Sequence, residues 1–405
     1  MKMYFDFRDI FKALRVAFSF QRIWTNTLGL LMAYGVYVIF AYISLLISGM
    51  SLGVAIEQFG ILPVLIGESF PIISWIFFGI GVLAAGVLLL VTNTAIARLV
   101  YMHLRNEFFY TWRQAFRFAF KKILSIIGAY LTFLFMIAFF VIGALVMGLI
   151  GRIPAIGEWL NALLTIPYIF AGMLLAFIVL VALVSIYIIP AILATMDEDA
   201  LGGVFHSFSI VYNQPWRFAI YSWLAGILEI IGFAMYAFFI KVGYVVFATL
   251  FNIGMGEKFY RISETALAWL QNLVAPFHPA IMGFWGQFSK IIYFSHPHAV
   301  QSLSGVETIA AVMMTLFLFL MGVSVWGYAE ATGNAGVTLS FLVLYKKQED
   351  ENLLEREDEE LKEEDEEEEA EKEEEKAEGD EDTSEPSTPD DAQEGSSEAE
   401  NNSEK

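Results

Sequence analysis

Six long apolar runs, separated by more polar stretches, occupy nearly half of the first 347 residues. They cover 27–49, 71–97, 123–150, 159–195, 216–240 and 306–328. A helix needs roughly 20 residues to cross the hydrocarbon of a bilayer, so each run is long enough to span. The pattern therefore predicts an all-α polytopic membrane protein with about six transmembrane helices. The fourth run is too long to stand upright. It is expected to tilt or to extend past the hydrocarbon, with Pro190 bending or ending it.

Polar positions between the runs set the expected orientation. Arg8, Lys12, Arg15 and Arg22 precede the first run, and Arg113, Arg117, Lys121 and Lys122 precede the third. Residues 50–70 contain Glu57 and Glu68 but no base. Cytoplasmic loops carry the excess of Lys and Arg, so the N-terminus and the 98–122 loop are expected on the cytoplasmic side of a cell inner membrane. Alternation then puts the acidic C-terminus there too. The 241–305 region is expected to be external or interfacial. Its short apolar piece at 242–253 either extends helix five or re-enters the bilayer, and 258–273 and 280–294 read as interfacial helices. No small-residue cleavage site closes a short apolar segment near the start, so a cleaved signal peptide is not expected.

Amphipathic segments precede the odd-numbered runs. Ala13-Leu14-Arg15-Val16-Ala17-Phe18 lines up with Ala115-Phe116-Arg117-Phe118-Ala119-Phe120, and more weakly with Val204-Phe205-His206-Ser207-Phe208-Ser209. An aromatic, arginine-bearing helix suits the interface, rings toward acyl chains and bases toward anionic headgroups. Three units, each an interfacial helix followed by a membrane hairpin, would give the six spans. The expected organisation is a cytoplasmic amphipathic helix at 1–26, a transmembrane domain at 27–347 and an acidic disordered tail at 348–405. The eight bases Arg8, Lys12, Arg15, Arg22, Arg113, Arg117, Lys121 and Lys122 are candidate lipid-headgroup contacts.

The segments 11–20 and 112–122, with the closing Leu342-Val343-Leu344-Tyr345-Lys346-Lys347, resemble uncharacterised bacterial multi-pass integral membrane families. They also look like the membrane region fused to some glycerophosphodiester phosphodiesterases. The resemblance covers the hydrophobic body and excludes the tail. It implies architecture and not activity, because no soluble phosphodiesterase domain accompanies it and no catalytic residue carries over.

Charge changes the picture at the C-terminus. The whole chain has a formal charge of −20. Residues 348–405 hold 30 Asp or Glu against 5 Lys or Arg, leaving the body 14 acids and 19 bases. Such a tail has too little apolar surface for a core. It would recruit a basic protein partner, bind cations weakly, or act as an electrostatic brush. Nothing in its charge favours nucleic acid.

Chemistry-bearing residues are sparse. There is no cysteine, which removes disulfides and thiolate catalysis. No HExxH, nucleophile elbow or phosphate-binding glycine loop occurs, so no catalytic residue, cofactor or metal site is expected and the chain reads as non-enzymatic. Glu229 is the one acid well inside a predicted span; Asn93 lies near the end of the second. Either could pack helices or line a polar path. Glu307 opens the sixth run, where a carboxylate suits a helix N-terminus. Gly79, Gly81, Gly86, Gly143 and Gly148 are expected to let helices approach. Asp197-Glu198-Asp199 reads as a solvated loop. The leading functional expectation is a protein that organises lipid or protein partners at the membrane. The alternative is a transporter or channel with Glu229 in the membrane path.

Overall fold

The computed structural model describes residues 3–65, 70–274 and 299–356. The chain divides into two units after Arg356, and the helical body is the first of them. The acidic stretch from 357 onward and the interfacial helix expected at 280–294 lie outside the described residues.

Helices account for nearly all of the described chain. A 3-10 turn, Phe7–Lys12, leads into α1 (Ala13–Ala17). After it stand α2 (Phe20–Ile47), α3 (Leu52–Phe59) and α4 (Ile72–Leu104). Next come α5 (Trp112–Lys121), α6 (Ile123–Ile150), α7 (Ile156–Leu163) and α8 (Thr165–Met196). The last four are α9 (Ala200–Asn213), α10 (Pro215–Met255), α11 (Glu257–Val274) and α12 (Gly305–Glu349). Six of them, α2, α4, α6, α8, α10 and α12, are long and apolar enough to cross a membrane. This is a multi-pass helical membrane protein.

Several boundaries differ from the sequence expectation. The amphipathic N-terminal helix stops at Ala17, and the first spanning helix already begins at Phe20. The long fourth run is broken at Leu164 into α7 and α8, and α8 then continues through Pro190 to Met196. The apolar piece at 242–253 is a direct extension of α10. Helix α12 does not end near Tyr328 but runs on without a break to Glu349. Within the stretch expected to belong to the tail from 348, Leu353 is buried in a short 3-10 turn, where its carbonyl accepts a hydrogen bond from the Tyr101 hydroxyl at 2.8 Å.

The core forms where three helix ends converge. The C-terminal parts of α4, α8 and α12 pack on one another. Their buried stretches are almost unbroken: Val91–Leu104 in α4, Ile188–Met196 in α8 and Val325–Tyr345 in α12. A helix buried all round must be surrounded by protein, and this half of α12 touches α1, α2, α4, α8, α9 and α10. Short helices lie against the three ends: α1 on α12, α5 on α4 and α9 on α8. Away from the core the helices turn large apolar side chains outward, among them Leu83, Phe139, Leu163, Ile253 and Leu316. Those faces meet lipid.

Polar groups in this interior satisfy themselves locally. Hydroxyls of Thr92, Thr94, Thr195, Thr332, Thr338 and Ser340 each donate to the carbonyl four residues back, which removes the cost of burying them. Arg98, fully buried, donates to Ala194 O at 3.0 Å and sits 4.3 Å from the centre of the Phe118 ring. One side chain thus ties α4, α5 and α8 together. Helix starts are capped in the ordinary way, by Thr111 with Gln114 in α5 and Ser304 with Glu307 in α12. Asp199 caps α9, and Asp197, in a left-handed backbone, pairs with Lys122 at 2.7 Å. The Asp197–Asp199 loop is therefore a structured joint rather than a solvated link.

The glycines expected to serve helix packing mostly do not. Gly79, Gly86, Gly143 and Gly148 have nothing within 4 Å of where a Cβ would stand; only Gly81 does, against Phe40. Close approach instead falls at Gly29, where the Thr92 side chain occupies the Cβ position. Overpacking of this kind costs about 1–3 kcal/mol. Gly29→Val should therefore lower the stability of the detergent-solubilised protein by about that much, whereas Gly79→Val should be close to neutral. Thermal unfolding followed by tryptophan fluorescence separates the two. Equal effects would remove the packing role assigned to Gly29.

Candidate functional site

Where α10 and α12 run alongside each other, each contributes a carboxyl group, Glu229 and Glu330. Glu229 stands fourteen residues after Pro215, the first residue of α10. At 1.5 Å per residue this is about 21 Å along the helix. Its carboxyl lies on α12 at Gly333, where a Cβ would overlap the carboxyl group. A side chain there would displace the carboxyl from its present position. Glu330, three residues before Gly333 on α12, is within Coulombic reach of Glu229. Both residues are half-buried, and neither has a basic partner among the described residues.

An amide pair continues this polar layer toward α4. Asn334 Nδ2 donates to Asn93 Oδ1 and to Glu330 O, each at 3.0 Å. Glu330 and Asn334 are four residues apart and so share one helix face. Asn26 of α2 adds a further link by donating to Gly327 O at 3.0 Å. Carboxyl and amide groups therefore lie along α12 where it faces α10 and α4. Two unpaired carboxyls in such surroundings favour a positive charge between them, whether a shared proton or a small cation.

The structure brings Glu229 and Asn93 to α12 beside Glu330 and Asn334, two residues that the apolar pattern does not single out. The sixth run loses its apolar character at Ala329-Glu330-Ala331-Thr332-Gly333-Asn334 and reads as ending there. The available signal is the apolar stretch 337–345 beyond it. A polar, small-residue interruption between two apolar stretches on one helix marks a buried contact surface.

The candidate headgroup bases separate into two groups. Arg113, Arg117 and Lys121 lie exposed on the outer face of α5, opposite its buried Ala115, Phe116, Phe118 and Ala119. Arg8 is exposed beside Asp6 at 3.7 Å, and Arg15 is exposed as well. The remaining three are engaged within the protein. Lys12 pairs with Asp9 and approaches the Tyr4 ring at 4.7 Å. Lys122 reaches Asp197, and Arg22 is buried and donates to Val16 O.

Two further ionisable sites stand apart from these groups. Glu307 accepts from the Ser304 amide at 2.9 Å and pairs with Arg261 of α11 at 3.2 Å, which fastens α11 to the start of α12. His206 on α9 packs against Tyr345 with ring centres 5.8 Å apart, and burial holds its imidazole below the usual histidine range. Among the described residues no group of three or more His, Asp or Glu could hold a metal ion. Comparison with protein-family models, with curated proteins and with solved structures finds no match.

The Asn93–Asn334 bond can be weighed by a double-mutant cycle. Interhelical side-chain hydrogen bonds in membrane proteins average about 0.6 kcal/mol. The cycle through Asn93→Ala, Asn334→Ala and the double variant should give a coupling of about that size, read from unfolding midpoints in detergent. Additive losses would show that the two amides do not act as a pair.

Proposed function

We propose that this protein is a transporter or channel for a small solute or ion, with Glu229 in the path, and that it works without enzymatic chemistry. The observation that carries the reading is the pair Glu229 and Glu330, half-buried, in reach of each other and without a basic partner among the described residues. Ionisable groups inside a spanning bundle are expensive and mark proton or ion routes when nothing neutralises them. Buried Arg22, Arg98 and Glu307 add to the same picture of charge held within spanning helices. A protein that only organised partners would have no use for an unneutralised carboxyl pair. An apolar contact there would pack as well at lower cost.

In this reading the pair takes up a proton or cation, and the Asn93–Asn334 amides orient it. Gly333 keeps the floor of the site open for the Glu229 carboxyl. The reading puts the exposed bases Arg113, Arg117 and Lys121 in the cytoplasmic headgroup layer and, with them, the N-terminus and the acidic tail in the cytoplasm, supported by the excess of bases before the first and third spanning helices. A basic protein partner for the tail belongs to the same proposal.

The test is flux. The full-length chain is reconstituted into vesicles that trap a pH-sensitive dye, and a proton or potassium gradient is imposed. Wild type should dissipate the gradient faster than protein-free vesicles. Glu229→Gln and Glu330→Gln should each slow it about tenfold or more. Both variants should remain folded, since the exchange removes a charge from an apolar setting. Vesicles in which the variants match wild type would remove Glu229 from any proton-coupled path.

A further inference from the structure

A second feature has no part in the carboxyl pair. A cavity of about 960 Å³ opens beside the start of α2. Arg15, Ser19, Gln21 and Arg22 line one side of it, while Met235 and Phe239 of α10 line another. It is basic at one wall and apolar at the other.

The basic wall is built to hold an anion. Arg22 is 6% exposed, and its Nη1 is held by the Val16 carbonyl. Its Nε–H is buried with no hydrogen-bond partner. An unmet donor on a buried guanidinium is costly unless something accepts from it. The first turn of α2 lies at the same place. Ser19 is the N-cap, but its side chain makes no capping bond, so it leaves the amides of the first turn unclaimed. A 28-residue helix directs the positive end of its dipole there. Arg15 adds a second guanidinium from α1. Free amides at a helix start and the guanidiniums of Arg15 and Arg22, both lining one cavity, make a donor set that recognises a phosphate-type oxyanion.

We propose that this cavity binds a phosphate-type oxyanion, with Arg15, Arg22 and the α2 N-terminus as its donors. The apolar wall at Met235 and Phe239 has no use for a bare inorganic ion. It suits an acyl chain, so the expected source is the headgroup of an anionic phospholipid. The proposal goes beyond the transport reading and does not depend on it, because none of these residues belongs to the carboxyl pair.

The experiment tracks thermal unfolding of the full-length protein in neutral detergent. Three probes are titrated: short-chain phosphatidylglycerol, short-chain phosphatidylcholine and inorganic phosphate. The expected result is a saturable rise in unfolding temperature with phosphatidylglycerol and little response to phosphatidylcholine. Arg15→Gln and Arg22→Gln should weaken half-saturation roughly tenfold or more, while Arg113→Gln, on the outer face of α5, should not. Arg15 is exposed, so its variant reports on the site even if the Arg22 variant proves unstable. A saturable rise with inorganic phosphate that is lost in the same two variants would keep the oxyanion site and make free phosphate its source. No rise with any probe would overturn the site. So would an equal rise with phosphatidylcholine, or equal weakening by Arg113→Gln.

Discussion

The close sheathing of the C-terminal half of α12 governs the rest of the structure. From Val325 to Tyr345 nearly every side chain is buried, which demands neighbours on all sides of one helix. Alanine and glycine dominate its first part, so backbones approach closely and dispersion does the work that hydrophobic exclusion cannot do between helices in lipid. The hydroxyls fold back on their own helix and the amides bridge outward, so the polar cost of so narrow a helix is largely met. The ends of α4 and α8, and the short helices α1 and α9, take their places from it.

Charge placement is a consequence of that packing. Residues that would be expensive in hydrocarbon are gathered where protein surrounds them: Arg98 against Ala194 and Phe118, Asn93 against Asn334, Glu229 against the bare backbone at Gly333. The outer halves of α6, α8, α10 and α12 carry almost none. Glu229 and Glu330 depart from the rule that buried charges are paired, and that departure separates a contact surface from a place where a proton or ion could stop.

The architecture is legible in the sequence at the level of apolar length. All six spanning helices are visible as runs, because lipid imposes one strong requirement on composition. The amphipathic face of α5 is equally visible, with Arg113, Arg117 and Lys121 outward and Phe116 and Phe118 inward. What cannot be read is anything set by neighbours. Helix α12 reads as ending at Tyr328 because its next turns look like a loop when no partner is in view, and Glu330 and Asn334 are lost with it. The glycines of α4 and α6 look like contact points, yet Gly79, Gly86, Gly143 and Gly148 touch nothing, whereas Gly29 and Gly333 do. Composition cannot tell a glycine that faces lipid from one pressed against a helix. Likewise Arg22 reads as one of a cluster of exposed bases, and only its bond to the Val16 carbonyl of α1 shows it buried.

The central helix is also the last of these six spanning helices to be synthesised. Helices α2, α4 and α10 enter the membrane with Asn26, Asn93 and Glu229 facing a place that α12 has yet to fill. Until it arrives, the chain is a set of inserted hairpins holding open a polar seat. Membrane helices can wait in this way, since insertion and association are separable steps. The cost is a vulnerable interval during biogenesis, when unpaired amides could find partners on other chains. Quality control acting on a stalled or shortened chain would therefore meet exposed intramembrane polar groups as its signal.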